Sequence, residues 1–454
     1  MIRLRTNNRS NKASIKKALS LPNPLWHKLS RMGNIRALYA CPKFFRYYIE
    51  EKASGDLLMG RGLRQRLLTF FQRKGETVDL TDQRCHGKEW SMLPSSLLLR
   101  DYQKGDVEEI IKHQEGIIKL GTGYGKTYIA LKVIETLLRA GACGGSLIVV
   151  PRIDIFTQFK GAIEKHFREG TLGVIRGRTT RLAPITLTTV QTLQRRIKDS
   201  SLSSLRDQFG IVIFDEAHQA VPRKTRQVVE AFNAKYLYGL TATPERTDGQ
   251  GEAIKFIFGP IIIDKELPRK NPQVKLCPFV SSIPMSHEYA RIIKCQTEHQ
   301  GRNSFIAEVV SQSVSEGRKV LCLTKRVAHY EKIALLLKEK GVAVVSLTSG
   351  GTTKQRESAL EIVRSSSSSA SVICGTFSLL SVGVDIPYLD TLVIAGDLKS
   401  SVLTKQSVGR ILRILQGKAE PLIIDIWDRG NKILNFQGIA RQRKYKECGW
   451  PIVF

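Results

Sequence analysis

The chain has 454 residues, too many for one ordinary core and enough for two or three domains. Hydrophobic residues at 42% and charged residues at 25% exclude a disordered or fibrous chain. No apolar run is long enough to read as a membrane span. Lysine and arginine (71) outnumber aspartate and glutamate (41), giving a formal charge of +30 that attracts polyanions and is repaid by counterion release. Nucleic acid is the expected partner, and a membrane is not. The eight cysteines are scattered without a CxxC pair, which indicates neither a zinc site nor a disulfide framework and suits a reducing compartment.

Residues 1–92 read as a small, basic α+β domain. The first acidic residue is Glu50, and Arg3, Arg5, Arg9, Lys12, Lys16 and Lys17 stand among serines and asparagines. That composition predicts a basic arm that grips phosphates; an organelle transit peptide shares it. Aromatic and basic residues crowd Phe44 to Ile49, and a helix is expected from Leu63 to Arg73.

From about Leu97, short apolar runs alternate with helical stretches, as parallel strands joined by crossover helices do. The expected strands are Gly116–Leu120, Ser146–Val150, Thr186–Thr189, Ile211–Phe214 and Tyr236–Leu240. After a linker at Pro268 to Pro272 the pattern resumes with Lys319–Leu323, Val342–Leu347, Ser371–Cys374, Thr391–Ala395 and Leu422–Ile426. Two α/β units in tandem follow, residues 93–270 and 271–454. The serine run Ser365 to Ser369 reads as a surface loop.

Gly121-Thr122-Gly123-Tyr124-Gly125-Lys126-Thr127 follows an apolar strand and opens a helical segment. Glycines at alternate positions let backbone N–H groups turn toward phosphate oxygens, and the helix adds its positive end. Lys126 is then placed for the β- and γ-phosphates of ATP, and the Thr127 hydroxyl for Mg²⁺. The strict pattern has glycine where this chain has Leu120, so the match lies in the GKT half and the glycine spacing.

Ile211 to Phe214 ends in Asp215-Glu216-Ala217-His218, which sets two carboxylates at the carboxyl edge of a sheet. Asp215 can hold Mg²⁺ and Glu216 can orient an attacking water. Late in the second unit, Gln406-Ser407-Val408-Gly409-Arg410-Ile411-Leu412-Arg413 puts two arginines on one helical face, able to point at a γ-phosphate. A lone GRxxR is more often a solvated basic face; its place after the other two elements singles this one out.

In this order the elements resemble helicase superfamily 2, from about Leu97 to the end of the chain. The resemblance implies two RecA-like parallel-sheet domains that close around Mg-ATP, with Lys126, Asp215, Glu216, Gln406, Arg410 and Arg413 in catalysis. Leu99-Arg100-Asp101-Tyr102-Gln103 resembles the adenine-reading motif, with Gln103 as the base contact. Gly383 and Asp385 take places on the nucleotide. Pro151, Arg152, Thr189 and Gln191, with Thr324, Lys325, Arg326 and Thr376 in the second unit, stand where the family touches the nucleic-acid backbone. His218, Thr241 and Thr243 stand where hydrolysis is coupled to strand movement.

Thr241-Ala242-Thr243-Pro244-Glu245-Arg246-Thr247-Asp248-Gly249 is most similar to the UvsW-like or XPB-like branch-migration group, as found in large tailed phages. Gly55 to Leu63 looks like the end of that group's N-terminal DNA-recognition domain. The resemblance implies action on branched or forked DNA in the cytoplasm of a prokaryotic or phage-infected cell. An RNA helicase with the same motor and a catalytically silent nucleic-acid scaffold are the alternatives.

Overall fold

The computed structural model describes residues 2–6, 8–32, 39, 41–81, 83–92, 94–121, 123–242, 251–266, 271–286, 288–347, 371–377, 389–396, 408 and 419–453. The chain divides into two units, Met1–Leu267 and Pro268–Phe454. Among the described residues no helix is long and apolar enough to cross a membrane.

The first unit opens on the alternation Ile2-Arg3-Leu4-Arg5, which forms β1 (Ile2–Arg5) with Ile2 and Leu4 buried. The next strands are β2 (Ser20–Pro22), β3 (Phe44–Arg46), β4 (Tyr48–Glu50), β5 (Leu57–Met59) and β6 (Asp79–Thr81). They form an antiparallel sheet of order β4-β5-β1-β6 and a separate β2-β3 pair. Helix Arg9–Ala18, capped by the Asn8 side chain, contributes Ile15 to the core, and helix Arg64–Arg73 contributes Leu67 and Phe71.

The opening stretch is therefore no free basic arm. Arg3 pairs with Glu51 at 3.1 Å, Arg5 with Asp56 at 3.5 Å, and Lys12 and Lys16 with Glu50 at 3.0 and 2.6 Å. Four of the six cations expected to meet phosphates are engaged within the domain, because folding brings acidic partners from Glu50 onward back to β1 and the first helix.

The same unit continues with β7 (Glu115–Leu120), β8 (Ser146–Val150), β9 (Leu172–Arg176), β10 (Thr179–Arg181), β11 (Ile185–Thr189), β12 (Ile211–Phe214), β13 (Tyr236–Thr241) and β14 (Ile261–Lys265). They make one sheet of order β10-β9-β11-β8-β12-β13-β7-β14, parallel except for the antiparallel β9-β10 hairpin. Burial on both faces explains the unbroken apolar runs. Leu147, Val149, Val212 and Phe214 face one core, which also receives the N-terminal domain, while Ile148, Val150, Ile211 and Ile213 face the other.

The second unit holds β15 (Gln273–Phe279), β16 (Val320–Thr324), β17 (Val344–Leu347), β18 (Val372–Thr376), β19 (Thr391–Ile394), β20 (Leu422–Asp428) and β21 (Ile452–Val453). Its sheet has the order β17-β18-β16-β19-β20-β15-β21 with every pairing parallel. All ten expected strands of the two units are present, Ser146–Val150 and Ile211–Phe214 with the expected ends and the others with ends shifted by at most two residues. The sequence reading omits β9, β10, β14, β15 and β21. Ser365 to Ser369 lie outside the described residues.

Helix Lys432–Glu447 is fixed on β20 by a buried polar cluster. Asp425 accepts from Arg441 Nε at 2.8 Å, Arg441 Nη2 at 2.7 Å and the Tyr445 hydroxyl at 3.0 Å. Removing one member of a buried ion pair leaves the other charged in a poor solvent. Arg441→Ala is therefore expected to destabilise the second unit by about 3–5 kcal/mol, and Tyr445→Phe by only about 1–2 kcal/mol. Urea titration of the full chain, read on the unfolding step that exposes Trp427 and Trp450, checks both.

Candidate nucleotide and nucleic-acid site

β7 ends at Leu120, which is fully buried in the core, so the phosphate loop starts one residue later than the strict pattern would have it. Gly123 at φ +87° and Gly125 at φ +98° take left-handed conformations that L side chains disfavour. Gly125 caps helix Lys126–Arg139, which puts Lys126 and Thr127 in the first turn beside unpaired backbone N–H groups. A Cβ on Gly125 would collide with the amide of Gln103.

That amide is fully used inside the protein. Gln103 Oε1 accepts from Arg100 N at 2.9 Å, and Nε2 donates to the Tyr124 carbonyl at 2.6 Å. Tyr124 is tied a second time, its hydroxyl donating to Asp106 Oδ2 at 2.6 Å. Burial and the Asp106 carboxylate push that phenol well above its ordinary range. Helix Asp101–Ile111 thus clamps the middle of the loop through Gln103 and Asp106. Asp106 and Gln158, whose Nε2 lies 3.4 Å from Thr127 Oγ1, are neighbours that sequence reasoning missed.

β12 delivers Asp215 to the same edge of the sheet, its N–H donating to the Val149 carbonyl at 2.9 Å. Asp215 is 6% exposed, and its Oδ1 has no hydrogen-bond partner among the described residues. Burial, and then the neighbouring Glu216 charge, push this carboxyl up to about 7, with Lys126 opposing them. Glu216 holds φ +50°, a left-handed conformation for a side chain-bearing residue. Its Oε2 lies 3.3 Å from His218 Nδ1, and that nitrogen lies 3.3 Å from Thr241 Oγ1 at the end of β13.

These groups suit a magnesium triphosphate. A buried carboxylate oxygen lacking a partner, raised in pKa and near a lysine, is stabilised by a hard divalent cation. Asp215 and the Thr127 hydroxyl could hold that ion, while Gly123, Gly125 and Lys126 offer backbone N–H groups and one ammonium to phosphate; the N–H groups of Gly121 and Tyr124 donate within the chain, to the carbonyls of Lys265 and Gly121.

The residues expected on nucleic acid also lie along strand ends. Val150 at the end of β8 pairs with Thr189 at the end of β11. Gln191 Nε2 donates to the Pro151 carbonyl at 2.7 Å, Thr189 Oγ1 caps the next helix, and Arg152 pairs with Asp154 at 3.2 Å. In the second unit Thr324 and Thr376 pair across β16 and β18. There Lys325 lies 4.9 Å from the Tyr289 ring, and Arg326 reaches the Ala290 carbonyl at 3.4 Å. Thr122, Thr243, Gly383, Asp385, Gln406, Arg410 and Arg413 lie outside the described residues.

Two family models match this chain: "Type III restriction enzyme, res subunit" over residues 96–246 and "Helicase conserved C-terminal domain" over residues 301–415. The chain is a superfamily 2 helicase. Among its relatives are proteins of the XPB and UvsW kind. The helicase is 28% identical to the DNA 3'-5' translocase XPB2 of Sulfurisphaera tokodaii, over 75% of this chain and 83% of that protein. It is 23% identical to the ATP-dependent DNA helicase uvsW of Enterobacteria phage T4, over 72% of this chain and 67% of that protein. Its fold is like that of the Pyrococcus furiosus Hef helicase domain, with a TM-score of 0.51 at 15% identity over 77% of this chain and 98% of that one. The two RecA-like domains expected from the sequence are thus present in the helicase, together with the small N-terminal α+β region.

The state of Asp215 makes the nucleotide-free helicase sensitive to pH. Its folded pKa of about 7 lies above the unfolded value, so its favourable contribution is complete at low pH and is lost as pH rises through 7. Asp215→Asn should raise the thermal midpoint of the free protein at pH 8, its advantage growing by about 3 kcal/mol between pH 5 and pH 8. Calorimetry at the two pH values checks this; adding Mg-ADP should stabilise the wild type and leave the variant nearly unchanged.

Proposed function

We propose that this helicase is an ATP-driven DNA translocase that remodels branched duplexes, by junction migration or fork regression. The observation that carries the reading is the strand order β9-β11-β8-β12-β13-β7 in one sheet. It lines up Thr189 and Gln191, Pro151 and Arg152, Asp215, Thr241 and the phosphate loop along a single carboxyl edge. At about 4.8 Å per strand, the strand-contact residues lie within about 10 Å of Asp215 and within about 20 Å of the phosphate loop. A change at one part of the edge is therefore transmitted to the other through rigid, buried strands.

Bound magnesium supplies charge neutralisation to the triphosphate. The chain does the rest. Lys126 holds the phosphates and is itself held at a helix start. Glu216 orients a water and accepts its proton, and the strained backbone at that residue fixes its carboxylate beside His218. His218 links Glu216 to Thr241, so a change at the γ-phosphate reaches the end of β13 and the segment that follows. Gln103 reads adenine in exchange for its bond to the phosphate loop, which makes loop geometry depend on the base. Arg410 and Arg413, with Gln406, Gly383 and Asp385 on the nucleotide, supply the remaining contacts, and Arg410 and Arg413 the cations for the transition state.

The DNA reading is supported by the net charge of +30 and by the printed names of the relatives. For the branched substrate we assign residues 1–92 as a DNA-holding domain, 93–270 as the nucleotide-binding domain and 271–454 as its partner. In the first of these, Lys43 lies 5.0 Å from the Trp26 ring and 5.8 Å from the Phe44 ring, an aromatic and cationic cluster of the kind that meets bases and phosphates.

Comparing ATP turnover with forked DNA, linear duplex and RNA tests the reading. Forked DNA should stimulate most, and a stronger response to RNA would assign the motor to RNA instead. Lys126→Ala should abolish turnover with every polymer; turnover at the wild-type rate would remove the phosphate-loop assignment. Arg413→Ala should leave nucleotide binding nearly intact while lowering the maximal rate about 10³-fold or more, as single-turnover hydrolysis and a fluorescent-nucleotide titration would show.

A further inference from the structure

The segment Gly60-Arg61-Gly62 joins the N-terminal domain to the nucleotide-binding domain in an unusual way. Arg61 is 7% exposed, and its guanidinium is spent on three partners at once. Nε donates to Glu115 Oε2 at 2.9 Å, Nη2 donates to the Lys235 carbonyl at 2.9 Å, and Nη1 donates to the Ala234 carbonyl. Glu115 is the first residue of β7, whose far end carries the phosphate loop. Ala234 and Lys235 lead into β13, whose far end carries Thr241. One side chain from the small domain therefore holds the starts of two adjacent central strands, which pair through Leu237 and Glu115.

The glycines on either side leave the backbone no slack. A Cβ on Gly60 would overlap the Phe256 carbonyl, and one on Gly62 would lie 2.6 Å from the Lys255 carbonyl oxygen and closer still to Gly259 N. Both neighbours are backbone of helix Gly251–Phe258 and its end. The Tyr47 ring meets Phe256 edge-on at 5.5 Å and lies 4.9 Å from the Arg226 guanidinium on the neighbouring helix. Beyond that helix, a Cβ on Gly239 would lie 2.8 Å from Ala217 Cβ and 2.9 Å from the Phe258 ring. Ala217 precedes His218, so the docked helix abuts the turn that holds the histidine of the nucleotide site.

We propose that Arg61 is a positioning residue that makes the N-terminal domain and the nucleotide-binding domain one rigid body. DNA held by the small domain then moves with the motor's own sheet rather than on a tether, and each ATP hydrolysed displaces base pairs instead of being spent on slippage. The planar guanidinium reaches a carboxylate and two carbonyls from three separate nitrogens held in a fixed fork, a spread that the three donors on lysine's single nitrogen do not span. The inference rests on the branched-DNA reading above.

The test compares Arg61→Ala, Arg61→Lys and Glu115→Gln with the wild type in three measurements: single-strand-stimulated ATP turnover, affinity for a forked duplex, and base pairs displaced per ATP hydrolysed. For Arg61→Ala we expect turnover within about twofold and fork affinity within about threefold of wild type, with displacement per ATP reduced at least about tenfold. Arg61→Lys should fall between, and Glu115→Gln, which keeps both carbonyl bonds, should show a smaller loss. Should Arg61→Ala not fold, Arg61→Lys and Glu115→Gln carry the comparison. Unchanged displacement per ATP in the variants that fold overturns the proposal. So does a parallel fall in turnover and displacement, since that is what general destabilisation produces. A wild type that displaces nothing from a fork overturns the branched-DNA reading itself, a result distinct from either.

Discussion

One carboxylate sets the terms for the rest of the molecule. Asp215 is buried at the end of a buried strand, beside a second carboxylate, with an oxygen that meets no donor among the described residues. A buried carboxylate oxygen without a donor is a place that a species from outside the chain can complete. The glycine turn, the helix start and Lys126 around it suit the proposed anion carrying its own cation. The sheet works as a jig, holding Asp215, the phosphate loop and Thr241 at the ends of β12, β7 and β13, which are immediate neighbours. Each is anchored by backbone pairing that runs the length of its strand, so none can shift alone.

Rigidity is not spread evenly. The phosphate loop is clamped from the side at Tyr124 twice, its carbonyl held by the Gln103 amide and its hydroxyl by the Asp106 carboxylate. His218 is shared between Glu216 and Thr241 at equal distance, 3.3 Å to each. One ring nitrogen carries at most one hydrogen, so it donates to only one of the two at a time.

Much of the site was legible because its chemistry is local. Gly121 to Thr127 and Asp215 to His218 are contiguous runs whose glycines and carboxylates declare their purpose. The buried parallel strands were legible too, since burial on both faces leaves an uninterrupted apolar run. What the sequence hid was partnership over distance. Arg3 and Glu51 are 48 residues apart, and nothing near Arg3 foretold that its charge would be neutralised within the domain. Arg61 and Lys235 are 174 apart, so nothing in the sequence showed that the segment resembling the end of a DNA-recognition domain also packs against the starts of β7 and β13. Asp106 and Gln158 escaped notice because each sits on the surface-charge pattern of an ordinary helix. β10 was missed because its exposed Thr179, Thr180 and Arg181 look like loop, β9 because Gly173 interrupts its short apolar run, and β14 and β15 because they flank a proline-rich linker.

Two of the four border strands of the large sheets, among the described residues, are very short. β10 is only three residues long, is exposed throughout, and ends in Arg181 beside Arg178; β21 is only two residues long. A sheet border this brief, and cationic in the first case, is a poor template for a foreign strand, since a newcomer would gain few ladder bonds. Two long hydrophobic sheets in one polypeptide would otherwise invite fibre formation. Blunting these two margins leaves only β14 and β17 as the longer borders on which such pairing could start.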